Sequence, residues 1–260
     1  MNEKTIDYDT VSKIYDQIRE GEPEMVYYIL QVKTPSSDSR VLDVGCGTGN
    51  NTLLFQQATG ARMYGLDPSF GMLVEAVRKA PEVEFVQAFA ESIPFPAGLF
   101  DILFMTEVVH HLSSLELALQ EMQRVLKPGG HLCVVTQSHE QIEQRMTSRF
   151  FPATVEVDKA RYPDIPMIEQ GMSNSGFNEV WSNSFKFTPI ILGEDYLNTV
   201  SRMGYSMLHK IGEEDYQRGL RELRLVYERG EQLDYSAGYT FVWGSKGVDL
   251  CESHWVRETP

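Results

Sequence analysis

The residues best suited to chemistry lie in Val41-Leu42-Asp43-Val44-Gly45-Cys46-Gly47-Thr48-Gly49. An apolar run that meets an acid and opens into three alternating glycines is a strand entering a turn. Glycine is wanted there because a ligand lies against the backbone and because such turns often need a positive φ. The chain resumes as a helix from about Asn50, which puts the turn at the carboxyl end of a strand, where open α/β sheets hold ligands. The spacing is Gly-x-Gly-x-Gly, not the Gly-x-Gly-x-x-Gly that aims a helix amino end at a pyrophosphate. Asp43, just ahead of the first glycine, suits a cation better than a pyrophosphate. A second acid, Asp67, closes the stretch 61–66, and from the end of a neighbouring strand it can accept hydrogen bonds from both hydroxyls of a ribose. His110 and His111 follow the apolar run 101–106 and are the candidate bases; a structural or water-holding part is the other reading. Arg145, Arg149, Phe150, Phe151, Arg161 and Tyr162 place arginines beside aromatics, which suits a planar anionic group. Pairing of those arginines with the chain's many acids is the alternative.

Stepping outward, short apolar strands alternate with helices from Arg40 onward. Strands are predicted near 40–44, 61–66, 83–86, 101–106 and 131–137, with helices near 50–58, 69–79 and 114–127. Such alternation calls for a parallel sheet with helices on both faces. Pro128-Gly129-Gly130 is expected to end a helix and re-aim the chain into the strand that starts at His131. Before the first strand, Val11, Ile14, Tyr15 and Ile18, and then Met25, Tyr28, Ile29 and Val32, recur at helical spacing on either side of Gly21-Glu22-Pro23. Later, 176–188 reads as a sixth strand and 239–244 as a last one able to pair antiparallel to it. Between them Tyr216, Leu220, Leu223 and Tyr227 share one helical face, the mark of an inserted helical cap.

With 260 residues and 42% of them hydrophobic, the chain can fill a sizeable core. Its 23 basic and 37 acidic residues leave a net charge of −14, which opposes non-specific attraction to phosphate backbones and makes nucleic acid a poor partner. Cys46, Cys133 and Cys251 are isolated, so neither a disulfide framework nor a metal site is expected. No run of about 18 apolar residues occurs, and the first ten residues lack the apolar stretch of a secretory signal. A cytoplasmic protein without membrane insertion is the expectation.

Taken in order, the glycine turn, Asp67-Pro68-Ser69 with Met72-Leu73, Ala90-Glu91-Ser92-Ile93-Pro94-Phe95, Phe100-Asp101 and Arg124-Val125-Leu126-Lys127-Pro128-Gly129-Gly130 resemble the class I S-adenosylmethionine-dependent methyltransferases. The likeness is to ubiquinone- and menaquinone-type and natural-product enzymes, over roughly residues 40–137 and more loosely to the end. It implies an α/β, Rossmann-like, mostly parallel seven-stranded sheet with an antiparallel last strand and helices on both faces. The expected layout is one domain over 1–260, with an amino-terminal helical lid at 1–34, a core at 35–190 and 231–260, and a helical cap at 191–230. It also implies S-adenosyl-L-methionine as cofactor, S-adenosyl-L-homocysteine as product and a small-molecule acceptor. By this resemblance Gly45 and Gly47 let the backbone approach the cofactor, Asp43 serves its ammonium end, and Asp67 with Pro68 holds the ribose. Met72 lies against the adenine, and Ala90 and Glu91 hold the adenine amino group by backbone or carboxylate. Phe89 stands where many relatives carry Asp, so backbone contacts and stacking should matter more here. Thr106 is expected near the emerging methyl group. Tyr15 of the lid is expected over the cofactor, and Tyr8, Arg19, Arg145, Arg149, Phe150 and Tyr162 toward the acceptor. A non-catalytic S-adenosylmethionine-binding module needs the same motifs, and a transfer-RNA-modifying enzyme shares them.

Overall fold

The structure, a computed structural model, describes residues 21–248. Its centre is a seven-stranded sheet in the order β3-β2-β1-β4-β5-β9-β6. The strands are β1 (Arg40–Val44), β2 (Arg62–Asp67), β3 (Glu84–Gln87), β4 (Phe100–Thr106), β5 (Leu126–Thr136), β6 (Phe177–Lys186) and β9 (Gly238–Lys246). The first five pair in parallel, and β9 runs antiparallel between β5 and β6. The expected sheet, including the pairing of 176–188 with the last strand, is the one observed.

Side chains alternate between the two faces, as the strand period requires. Leu103, Met105, Leu132, Val134 and Val242 point to one side, where α4 (Leu115–Val125) and α8 (Ile165–Asn174) cover them. Ile102, Phe104, Cys133, Val135, Phe241 and Trp243 point to the other, against α1 (Pro23–Val32) and α2 (Asn50–Thr59). Burial on both faces explains why the central strands read as unbroken apolar runs.

Helix starts are marked locally. Ser69 accepts from Met72 N (3.2 Å) to cap α3 (Phe70–Lys79), and Ser114 accepts from Leu117 N (3.3 Å) to cap α4. Arg124, near the end of α4, donates to the carbonyls of Phe95 and Ile93 (both 2.8 Å), while Glu121 accepts from Ile93 N (2.9 Å). The segment Ala90–Phe95 is thereby pinned where it borders the cleft described below.

Two expectations need correction, and one further stretch proves helical. Pro128-Gly129-Gly130 does not link helix to strand: α4 stops at Val125, β5 is already extended from Leu126, and the three residues sit inside it beside a register shift opposite Phe100 and Ile102. The described part of the amino-terminal segment is not a lid, because Met25, Val26 and Ile29 of α1 are buried against the sheet and Tyr28 stacks on Phe185 at 4.1 Å. Finally, 139–174 folds into four helices, α5 (His139–Glu143), α6 (Met146–Phe150), α7 (Ala153–Arg161) and α8.

The segment expected as a helical cap, 191–230, is helical over much of its length. A hairpin of β7 (Ile190–Ile191) and β8 (Asp234–Tyr235) brackets α9 (Glu194–Ser201) and α10 (Glu213–Glu228). Tyr216, Leu220 and Leu223 of α10 share a third hydrophobic cluster with Met146, Phe150 and Phe151, so the cap rests on α6.

Candidate active site

Three left-handed glycines shape the turn after β1: Gly45 (φ 78°), Gly47 (54°) and Gly49 (78°). The first two do different work. Gly45 N and Cys46 N both donate to Leu66 O (2.7 and 3.0 Å), and a Cβ on Gly45 would stand 2.4 Å from Val108 Cγ2. Gly45 therefore lets the loop after β4 pack on the turn. A Cβ on Gly47 would meet nothing within 4 Å, so that backbone faces open space.

Asp67 stands at the end of β2 with its carboxylate fixed: Oδ2 accepts from Gly47 N and Oδ1 from Ser69 N, each at 2.9 Å. Two backbone bonds fix the orientation of this carboxylate at the edge of the glycine turn. Asp43 is 1% exposed. Its Oδ2 accepts from Thr52 Oγ1 at 2.6 Å, and its Oδ1 has no hydrogen-bond partner. Burial pushes its carboxyl up to about 7, with the Thr52 bond opposing and the charge of Asp67 adding to the rise. An orphaned buried carboxylate oxygen beside an open glycine turn is a receptor for a cation or a donor. Between the turn and the β4 loop lies a small cleft bordered by Gly45, Pro68, Phe89, Ala90, Glu91 and His111.

Comparison with known proteins points the same way. Residues 42–134 match the model of a methyltransferase domain. The chain is 38% identical over 100 residues to a demethylmenaquinone methyltransferase of Renibacterium salmoninarum, covering 38% of this chain and 42% of that protein. It is 30% identical over 149 residues to a malonyl-[acyl-carrier protein] O-methyltransferase of Legionella pneumophila, covering 55% of this chain and 50% of that one. Thus the matches span about half the length of these curated relatives or less. A putative methyltransferase from an antibiotic biosynthesis pathway of Anabaena variabilis shares the fold at a TM-score of 0.74 and 24% identity, over 88% of this chain and 99% of that one. Residues 42–134 thus carry the likeness to a methyltransferase domain, inside a fold of the class I methyltransferase type.

Within the matched region the expected residues take unequal places. Gly45, Pro68, Ala90 and Glu91 border the cleft together with Phe89, which is 66% exposed and available for stacking. The Glu91 carboxylate is committed elsewhere: Oε1 accepts from Ser113 N (2.7 Å), Ser113 Oγ (2.9 Å) and Ser114 N (3.2 Å). Partial burial works against its charge, and these bonds outweigh it, so its carboxyl sits below the usual range. Of the two routes expected for Glu91, the backbone is the one left open. Met72 is buried in the first turn of α3, where its N–H is capped by Ser69. Thr106 Oγ1 accepts from Asn51 Nδ2 (3.1 Å), and Asn51 Oδ1 accepts from Glu22 N (2.8 Å), joining β4, α2 and the start of α1.

On the acceptor side, His111 borders the cleft while His110 stacks on Tyr162, ring centres 3.9 Å apart. Tyr162 Oη donates to Glu107 Oε2 at 3.3 Å, and Arg145 lies over the Tyr162 ring at 5.0 Å. The buried guanidinium of Arg145 donates to Asp158 Oδ2 (2.5 Å) and Gln137 Oε1 (2.6 Å), and Arg161 donates to Asp158 Oδ1 (3.1 Å). Tyr162, Glu107 and Asp158 around Arg145 more than offset the cost of burying its charge and hold it protonated. The arginines expected to receive an anionic acceptor are thus bound to an internal acid. Arg149 and Phe150 are not brought to this cluster: Phe150 is in the core of the cap, and Arg149 is exposed on a separate groove with Glu222 and Arg229. Tyr8, Tyr15 and Arg19 lie outside the described residues.

Sequence reasoning missed Glu107, Asn51 and Val108. Glu107 directly follows the last residue of β4, and that position alone could have singled it out as it did the histidines.

Proposed function

We propose that this protein transfers a methyl group from S-adenosyl-L-methionine to a small-molecule acceptor, releasing S-adenosyl-L-homocysteine. The observation that carries the reading is Asp67: a carboxylate at the end of β2, held from both sides by backbone N–H groups, beside a glycine turn open at Gly47 and a cleft walled by Phe89 and Ala90. These residues fit the cofactor group by group. Asp67 offers acceptors to a ribose diol, the apolar wall suits a planar base, and the orphaned oxygen of Asp43 suits an ammonium, directly or through one water.

When bound, the cofactor supplies a methyl carbon already joined to a good leaving group. What the chain must add is alignment and a dry cleft. The turn and Asp67 fix one end, and the β4 loop, packed on Gly45 through Val108, brings Thr106 to His111 alongside. The relatives named above are a demethylmenaquinone methyltransferase and a malonyl-[acyl-carrier protein] O-methyltransferase, which supports a small acceptor group, free or borne on a carrier protein. The net charge of −14 supports working without nucleic acid, and a cytoplasmic setting belongs to the same reading. Among the described residues no helix is long and apolar enough to cross a membrane. Incubation with S-adenosylmethionine labelled in its methyl group, over a broad panel of small acceptors, should give label in a product and S-adenosylhomocysteine in equal amount. Tight cofactor binding with no turnover across such a panel would favour a binding module instead.

A further inference from the structure

The groove between α6 and α10 stands apart from the cleft, and the two share no bordering residue. Phe150 and Val226 are buried in it, whereas Leu225 is 45% exposed, and Arg149, Glu222, Arg229 and Glu231 surround them. Four of these residues form one stripe of α10. Glu222, Leu225, Val226 and Arg229 stand at i, i+3, i+4 and i+7, and Arg229, the C-cap of α10, keeps a helical backbone (φ −81°), so the spacing holds to the end. The stripe reads acid, two apolar residues, base. Turned end for end it complements itself: Glu222 falls opposite Arg229 and Leu225 opposite Val226, and each pair occurs twice. A parallel pairing would set acid on acid and base on base. Self-complementarity of this kind is what a two-fold interface requires, because one patch must serve both partners. The charges are available for it. Among the described residues Arg149 and Glu222 enter no ion pair, and Arg149 lies over the Phe150 ring at 5.1 Å. Arg229 stands 3.7 Å from Glu231, with the two side chains 66% and 50% exposed, a contact worth little in water.

We propose that this face binds a second copy of the chain, α10 packing antiparallel on α10 of the partner. Leu225 and Val226 lie at the two-fold axis, Glu222 faces Arg229 at either end, and Arg149 of α6 adds a cation beside the seam. The interface leaves the cleft of each copy uncovered by the groove residues, and the inference is independent of the methyl-transfer reading.

Sedimentation equilibrium on the full chain tests this. One helix face with a flanking turn is a small interface, so the expected result is a monomer–dimer equilibrium with a Kd of about 1–100 μM, weakened by salt as the end pairs are screened. Glu222→Arg and Arg229→Glu each set like charges opposite one another and should each weaken the dimer by at least about tenfold. Both positions are exposed, so far-ultraviolet circular dichroism should be unchanged. Mixed in equal amounts, the two variants present complementary charges again and should form a mixed dimer with an affinity within about threefold of the unaltered protein's, a result that loss of folding could not give. An unaltered protein that stays monomeric up to about 300 μM, a dimer indifferent to both substitutions, or a mixture that remains monomeric would each overturn the inference.

Discussion

At the residue scale the least comfortable group is Asp43, nearly solvent-free, with one oxygen unpartnered and its carboxyl raised from 3.8 to about 7. Between those two values the folded protein holds a proton that the unfolded chain has released, so this group's contribution to stability falls as pH rises from about 4 to about 7 and the full penalty stands above that. A bound ammonium reverses the preference by favouring the carboxylate. Cofactor binding below pH 7 should therefore release a proton, and affinity should fall by up to about tenfold per pH unit as pH drops below 7. Calorimetry at pH 6, 7 and 8 in buffers of differing protonation enthalpy reads both effects, and Asp43→Asn should flatten them. A flat profile in the unaltered protein would remove Asp43 from the cofactor site. Asp43, Asp67 and the glycines were legible in sequence because each combines a distinctive residue type with a fixed place after a strand. Glu91 and Arg145 were only half legible: the sequence shows a charge but not the Ser113 or Asp158 that occupies it.

At the element scale, strand alternation and capping residues were readable because they are local, and the helices of 139–174 were not, because short segments held by tertiary contacts carry little period of their own. The same locality misled on α1, whose apolar face was plain but whose partner, the sheet face around Tyr28 and Phe185, is far away in sequence. Position within the element α7 gives a second prediction. Asp158 is 1% exposed and neutralises Arg145 and Arg161 together, joining α7 to α6 and to the loop that carries Gln137. Asp158→Ala would leave a buried guanidinium without its counter-ion and should cost about 3–5 kcal/mol in denaturant unfolding. Glu75→Ala, which breaks an ion pair with the largely exposed Arg78, should cost less than about 1 kcal/mol. Comparable losses in the two variants would show that the Asp158 network is not a structural hub.

For the whole molecule, three hydrophobic clusters form the core: one on each face of the sheet and one in the cap. The candidate site lies at the end of the sheet where the carboxyl ends of β1, β2 and β4 present Asp43, Asp67 and Glu107. A contact at long range ties α1 to the segment that follows β6, as Glu24 accepts from Thr188 N (3.0 Å) and Thr188 Oγ1 (3.0 Å) on the approach to the cap. The account's central claim is that this end of the sheet holds S-adenosylmethionine with Asp67 as its ribose anchor. Calorimetric titration of S-adenosylmethionine and S-adenosylhomocysteine into the protein and into Asp67→Ala tests it directly. Saturable binding of both ligands, weakened about a hundredfold or more in the variant through loss of two charge-assisted bonds, is the predicted result. Absence of binding to the unaltered protein, or equal binding to a folded Asp67→Ala, would contradict it.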